Sequence, residues 1–218
     1  MSESAPPARP QFYAVIPAAG HARRMVGNKL GIPWRNGCTV LENVLTAWRE
    51  SCVKKWIVVI RAEDARTAEV CRSQGAEVCL LPSETPDMKA TVQAGLHWLE
   101  QEHAPGEEDF CFIAPADLPR LGEALINTVA AAAMPGRLIA PLFGDRHGHP
   151  LCLSWQLVPL VHALERDEGL DTLFRRCEVH AVAMPAEARV RDMDTRAEYL
   201  RELGLPDNER PESSVHGS

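Results

Sequence analysis

The chain has no surplus of positive charge. Its 23 Lys and Arg face 30 Asp and Glu, a net of −7 over 218 residues. This argues against a general nucleic-acid binder, which needs a basic face to release phosphate counterions. A local basic pocket for one phosphorylated small molecule is still compatible with it. No apolar run approaches the roughly 20 residues of a membrane span. The opening MSESAPPARPQ lacks the apolar centre of a secretion signal, so the expected location is the cytoplasm. Seven cysteines, at 38, 52, 71, 79, 111, 152 and 177, are odd in number, scattered and without a CxxC pair. A disulfide framework or a zinc site is therefore not expected. Most lie in apolar runs such as Phe110-Cys111-Phe112 and read as small buried hydrophobes in a reducing compartment. A GKS or GKT phosphate loop is absent, and so is a GxGxxG dinucleotide fingerprint.

What is present suffices for a folded core: 45% apolar and 24% charged residues, with 6% aromatic. Polar, Pro-rich tails are expected at 1–11 and 205–218, with one domain over 12–204 and no internal repeat or linker. Short apolar runs predict strands at 12–16, 56–60, 76–81, 109–114 and 137–142. Helical spacing predicts helices at 39–51, 63–74, 88–102, 121–134, 155–166, 169–176 and 195–203. Thr39, Asp87 and Thr195 are placed as caps, the last with Glu198 in a capping box. A polar loop at 144–149, an apolar stretch at 151–153, and strands at 178–184 and 188–193 complete the reading. Strands alternating with helices predict a three-layer α/β/α fold with a mostly parallel sheet. Ligands in such folds bind beyond the carboxyl ends of the strands, so residues just past strands carry the information.

The first strand ends in PAAGHARRMVGNK. Ala18, Ala19 and Gly20 leave room for a backbone to approach an anion and turn its N–H groups toward it. Arg23, Arg24 and Lys29 add three cations within seven residues. A triphosphate needs this combination, although an ordinary strand-to-helix turn with surface arginines has the same composition. Asp117, in Pro115-Ala116-Asp117-Leu118-Pro119, lies just past the fourth strand. Such a carboxylate can hold Mg2+ together with phosphate oxygens, or can bond the next turn of the chain. Asp192 and Asp194 precede the last helix, where they are either metal ligands or charges that favour the helix dipole. Asp194 is preferred as the second ligand. In Arg146-His147-Gly148-His149-Pro150 the two histidines lack a third metal partner of fixed geometry. Lys89 either meets a phosphate or is solvated.

Together these segments resemble the MobA-like nucleotidyltransferases. The Ala18-Ala19-Gly20 turn, Arg24, Met25 and Lys29 are similar to the family's phosphate loop, with Val26 in a usual glycine slot. Asp117-Leu118-Pro119 is similar to its Asp-x-Pro motif, and Asp192-Met193-Asp194-Thr195 to its C-terminal Asp-Ile-Asp-Thr. Gly148-His149-Pro150 resembles the Gly-His-Pro loop of the molybdenum cofactor cytidylyltransferases. The segment 87–91 occupies the place of Gly-Met-Ser-x-Ser, with Asp87 for glycine, Lys89 for serine and Thr91 keeping a hydroxyl.

The resemblance implies a Rossmann-like nucleotidyltransferase fold and Mg2+ as cofactor. It implies a nucleoside triphosphate held by Ala18, Ala19, Gly20, Arg23, Arg24, Lys29 and Thr91. Arg24, Lys29 and Asp117 become the catalytic residues, Asp117 and Asp194 the metal ligands, and Arg146, Gly148 and His149 the acceptor site. The implied reaction moves CMP from CTP to a phosphorylated acceptor, with molybdopterin carrying molybdenum as first candidate, and releases pyrophosphate. A molybdoenzyme or its maturation factor is the implied protein partner, to which the product would be handed. Three alternatives are weighed on the sequence. One is the same chemistry with GTP, a sugar phosphate or another phosphorylated small molecule; the second is a carrier module that binds a nucleotide or cofactor without turnover; the third, an α/β oxidoreductase, has the missing glycine fingerprint against it.

Overall fold

The apolar runs do form strands. The computed structural model describes residues 9–20, 29–193 and 195–205 and places eight strands in one sheet. They are β1 (Phe12–Pro17), β2 (Lys55–Arg61), β3 (Glu77–Leu81), β4 (Phe110–Ile113), β5 (Leu138–Phe143), β6 (Arg146–His147), β7 (Leu151–Ser154) and β8 (Val179–Met184). The order across the sheet is β3-β2-β1-β4-β7-β5. β8 lies parallel on the other side of β5, and β6 extends the β7 side. Only β6 and β7 run against the rest. The carboxyl ends of β1 to β4 therefore share one edge.

The helices are α1 (Val40–Glu50), α2 (Ala65–Ser73), α3 (Met88–His103), α4 (Glu123–Ala131), α5 (Val158–His162), α6 (Leu173–Arg176) and α7 (Arg196–Leu203). α1, α2 and α4 cover one face of the sheet through a core that includes Leu45, Trp48, Phe112 and Ile126. α3, α5 and α6 cover the other through Leu96, Leu99, Val158 and Leu173. The result is the three-layer α/β arrangement expected from the alternation of elements. α7 packs separately against Trp34 and Val40. It is tied down by Tyr199 Oη donating to Pro33 O at 2.5 Å and by Arg35 donating to Glu202 O at 3.0 Å. Thr39 and Thr195 both close capping boxes with Glu42 and Glu198, and such caps contribute about 1 kcal/mol each.

Gly95 shows how tightly α3 lies on the sheet. A Cβ there would fall 2.6 Å from Val15 Cγ1 and 2.8 Å from Val59 Cγ2. Both valines are fully buried and stiff at χ1. Gly95→Ala is expected to destabilise the protein by about 1–3 kcal/mol, the usual cost of overpacking, despite the better helix propensity of alanine. Urea unfolding measures it, and an unchanged midpoint would show that the helix can lift off the strands at no cost.

Four expectations are corrected. Residues 188–193 are not a strand: after β8 the chain passes Pro185 and a single 3-10 turn at Ala186–Ala188, then runs irregularly. Its apolar residues Val190 and Met193 are buried anchors of that irregular segment. Asp192 therefore lies on irregular chain and not on a strand. The polar stretch 144–149 contains β6, because Gly144 at φ +66° turns the chain back onto β5. The helix expected at 155–166 starts as a 3-10 turn and stops at His162. The one at 169–176 is likewise a 3-10 turn followed by α6.

All seven cysteines are free, and Cys71, Cys79, Cys111 and Cys152 are buried. Burial pushes the Cys71 thiol up to about 12, as expected of an inert core cysteine. Among the described residues no helix is long and apolar enough to cross a membrane.

Candidate functional site

The carboxyl ends of β1 to β4 open onto a cleft of about 900 Å³. Backbone hydrogen bonds hold its two central loops side by side. Ala18 N donates to Val59 O at 2.9 Å, and Ala116 N donates to Pro17 O at 3.2 Å. The second bond carries the parallel pairing of β1 and β4 past the strand ends, which brings the 18–20 turn and Asp117 to the same cleft. Ala18, Ala19, Gly20, Lys29, Thr91 and Asp117, separated by up to ninety-nine positions in the chain, all line it. Gly20 has no left-handed φ, and a Cβ there would meet nothing within 4 Å among the described residues.

Asp117 is largely buried. Its Oδ2 accepts from Lys29 Nζ, while its Oδ1 is buried with no hydrogen-bond partner among the described residues. A buried carboxylate oxygen left unpaired is costly. A divalent cation arriving with a nucleotide would satisfy it, so the donor set fits Mg2+ bound by one carboxylate and completed by phosphate oxygens and water. Among the described residues no three His, Cys, Asp or Glu gather into a ready-made metal cage.

Arg61, Glu63, Asp64 and Glu84 also line the cleft, and the motif reading missed them. Their signal was positional: each lies at or just past the end of β2 or β3. Arg61 pairs with Glu63 at 3.3 Å. Asp64 and Asp87 are N-caps, accepting from Thr67 N at 3.2 Å and Ala90 N at 2.8 Å. The N-termini of α2 and α3 therefore both face the cleft and add positive potential to it. Thr91 shares a 2.6 Å hydrogen bond with Thr85 across the cleft wall.

Lys89 takes up neither of its expected roles. It is 6% exposed, and its ammonium donates to Glu165 O at 2.5 Å and Arg166 O at 3.2 Å. Burial against the chain leaving α5 takes it away from both phosphate and solvent.

Arg146, Gly148 and His149 do not line the cleft. Arg146 is exposed on β6. Gly148 is pressed against Phe143, where a Cβ would fall 2.8 Å from the ring. His149 Nδ1 lies 3.4 Å from Ile113 O, at the end of the strand that leads to Asp117. Burial pushes its imidazole below the ordinary 6.5, opposed by the Ile113 carbonyl, Asp117 and Asp192. The ring is neutral at pH 7, and both aspartates are near enough to influence it. Arg23, Arg24 and Asp194 lie outside the described residues.

Solved structures share this fold across nearly the full chain. Rv0371c from Mycobacterium tuberculosis H37Rv, in complex with manganese, superposes with a TM-score of 0.74 at 21% identity over 89% of this chain and 98% of that one. A nucleotidyl transferase from Methanothermobacter thermautotroptrophicus gives 0.75 at 21%, over 89% and 96%. A 4-diphosphocytidyl-2C-methyl-D-erythritol synthase gives 0.66 at 18%, over 90% and 99%. At these identities the likeness is one of fold. No curated protein matches the sequence. The MobA-like NTP transferase domain matches residues 14–182, a span that holds most of β1, all of β2 to β7, both central loops and the whole cleft lining. With a match of that extent, the chain belongs to the family of MobA-like NTP transferase domains.

Proposed function

We propose that the protein is a Mg2+-dependent cytidylyltransferase that moves CMP from CTP to the phosphate of a small acceptor. The molybdenum-loaded pterin phosphate is the first candidate acceptor. The observation that carries the reading is Asp117: one carboxylate oxygen is paired with Lys29, the other is buried and unpartnered among the described residues, and both sit beside the 18–20 turn. Two fold neighbours lend support, one in complex with manganese and the other named for a cytidyl product.

Amides of the Ala18-Ala19-Gly20 turn and the N-termini of α2 and α3 bind the triphosphate. Lys29 turns from Asp117 toward the phosphates, with Arg23 and Arg24 as further cations. Asp117 Oδ1, with Asp194 as second candidate, would hold Mg2+, which supplies charge neutralisation at the α-phosphate. An acceptor phosphate oxygen attacks the α-phosphorus in line. The new P–O bond forms as the bond to the bridging oxygen of the β-phosphate breaks, and pyrophosphate leaves with that electron pair. A phosphate monoester is already ionised at neutral pH, so no general base is needed. The neutral His149, with Arg146, positions the acceptor. Rate comes from orientation and charge stabilisation.

The test incubates the protein with each of the four ribonucleoside triphosphates, Mg2+ and a panel of phosphorylated acceptors, and measures pyrophosphate. Release with CTP and the pterin phosphate is expected. Release with GTP alone, or only with a sugar phosphate, would reassign the substrate. Nucleotide binding without release on any acceptor would overturn the enzyme reading in favour of a carrier.

A further inference from the structure

A cation in the first turn of a helix works against the helix dipole, and a buried ammonium is tolerated only when paired. Lys89 is both: it is the second residue of α3 and is 6% exposed. Its partners explain the position. Along the chain leaving α5, Val161 O accepts from Leu164 N and Glu165 O from Glu168 N, and α3 side chains add a second donor to each. Gln93 Nε2 donates to Val161 O at 2.8 Å, and Lys89 Nζ donates to Glu165 O and Arg166 O.

The held segment leads away from the donor cleft. Glu165 N donates to Glu168 Oε2 at 2.8 Å, and Arg176 donates to Glu168 Oε1 at 2.6 Å. Phe174, on the same short helix as Arg176, stacks on His147 of β6 with ring centroids 4.8 Å apart. His147 adjoins Arg146 and the Gly148-His149 turn, which the proposed function gives to the acceptor. At the other end, Met88 and Thr91 flank Lys89 and line the donor cleft. A continuous chain of contacts thus runs from the donor cleft to the acceptor loop, and Lys89 is its first link.

We propose that Lys89 is a positioning residue: it pins the 165–176 wall to the start of α3 and so holds the acceptor side of the site at a fixed distance from the bound nucleotide. The proposal rests on the transferase reading. Asp87 caps α3 through Oδ1 on Ala90 N while its Oδ2 pairs with Lys89 Nζ at 3.9 Å; the cap uses the other oxygen, and Thr91 is held by Thr85, so the donor cleft keeps its shape when Lys89 is lost.

Lys89→Met is tested by amide hydrogen exchange and by steady-state kinetics. Exchange over 163–172 is expected to rise at least about tenfold while β1 and β4 keep their protection. CTP affinity measured without acceptor is expected to stay within about twofold. With any acceptor that supports wild-type turnover, kcat/KM for that acceptor is expected to fall by on the order of ten- to a hundredfold. Lys89→Arg, which keeps donors for both carbonyls, restores the protection and most of the acceptor efficiency. Arg176→Met, which cuts the exposed far end of the same chain of contacts, produces the same acceptor defect and serves as the second variant if Lys89→Met does not fold. Unchanged exchange would overturn the brace. Raised exchange with unchanged acceptor kinetics would leave Lys89 a structural lysine and overturn the positioning role. If the wild type turns over no acceptor at all, the transferase reading fails, and the positioning role fails with it; exchange still decides the brace.

Discussion

Asp117→Asn is expected to lower pyrophosphate release by a factor on the order of 10²–10³, the usual loss on removing one charge-stabilising group from a polar transition state. Asparagine has the shape of aspartate, so Leu118 stays buried and the turn closed by Leu121 N on Leu118 O persists. The negative charge is the part that disappears. The remaining carbonyl oxygen is a weak ligand for a hard divalent cation, and it is also the one acceptor the side chain keeps for the Lys29 ammonium. Mn2+ binding measured by electron paramagnetic resonance should weaken in parallel with turnover, while the far-ultraviolet circular dichroism stays the same. Full turnover in a folded Asp117→Asn would remove this residue from the metal site.

Lys29→Met is expected to lower turnover by a similar factor, on the order of 10²–10³, but to shift metal binding the other way. The ammonium is paired with Asp117 across the cleft, with the side chains 17% and 13% exposed. It competes with any other cation for that carboxylate. Without it the nucleotide-free protein should bind Mn2+ more tightly than the wild type, and MgCTP less tightly, because the phosphates lose a counter-charge. The opposite signs separate a lysine that serves the phosphates from one that only braces the loop. The latter would lower both affinities. Among the described lining residues Arg61 is the other basic group, against Glu63, Asp64, Glu84, Asp87 and Asp117. The effect of losing Lys29 is large for that reason.

The strands that carry the site are legible in the sequence because each is a short apolar run closed by a turn residue. The ligand-edge rule then points at the residues just past β1 and β4. The same rule, applied to β2 and β3, points at Arg61, Glu63 and Glu84, but no motif marks them. The false strand at 188–193 arises because a short run carrying the apolar Val190 and Met193 looks strand-like, although residues three apart fall on opposite faces of a strand. They are buried for a different reason: each fills a separate apolar cluster, Val190 the one beneath α1, α2 and α4, and Met193 the one beneath α7. The helix expected at 155–166 ends at His162, and the chain beyond it is held by contacts that periodicity does not register, Gln93 on Val161 O and Lys89 on Glu165 O.

Local sequence alone decided the element types, the capped starts of α1, α3 and α7, the alternation that makes a parallel sheet, and the small-residue turn with its neighbouring carboxylate motif. These depend on near neighbours: side-chain size, apolar period and hydrogen bonds three residues apart. Tertiary structure alone decided that Lys29 meets Asp117, that one oxygen of that carboxylate is left without a partner among the described residues, that Gly95 and Gly148 are glycines to fit Val15 and Phe143, and that Lys89 serves the chain leaving α5 instead of a phosphate. Each of those is a contact between residues brought together by packing. Burial sets its energy, and burial exists only once the layers have packed.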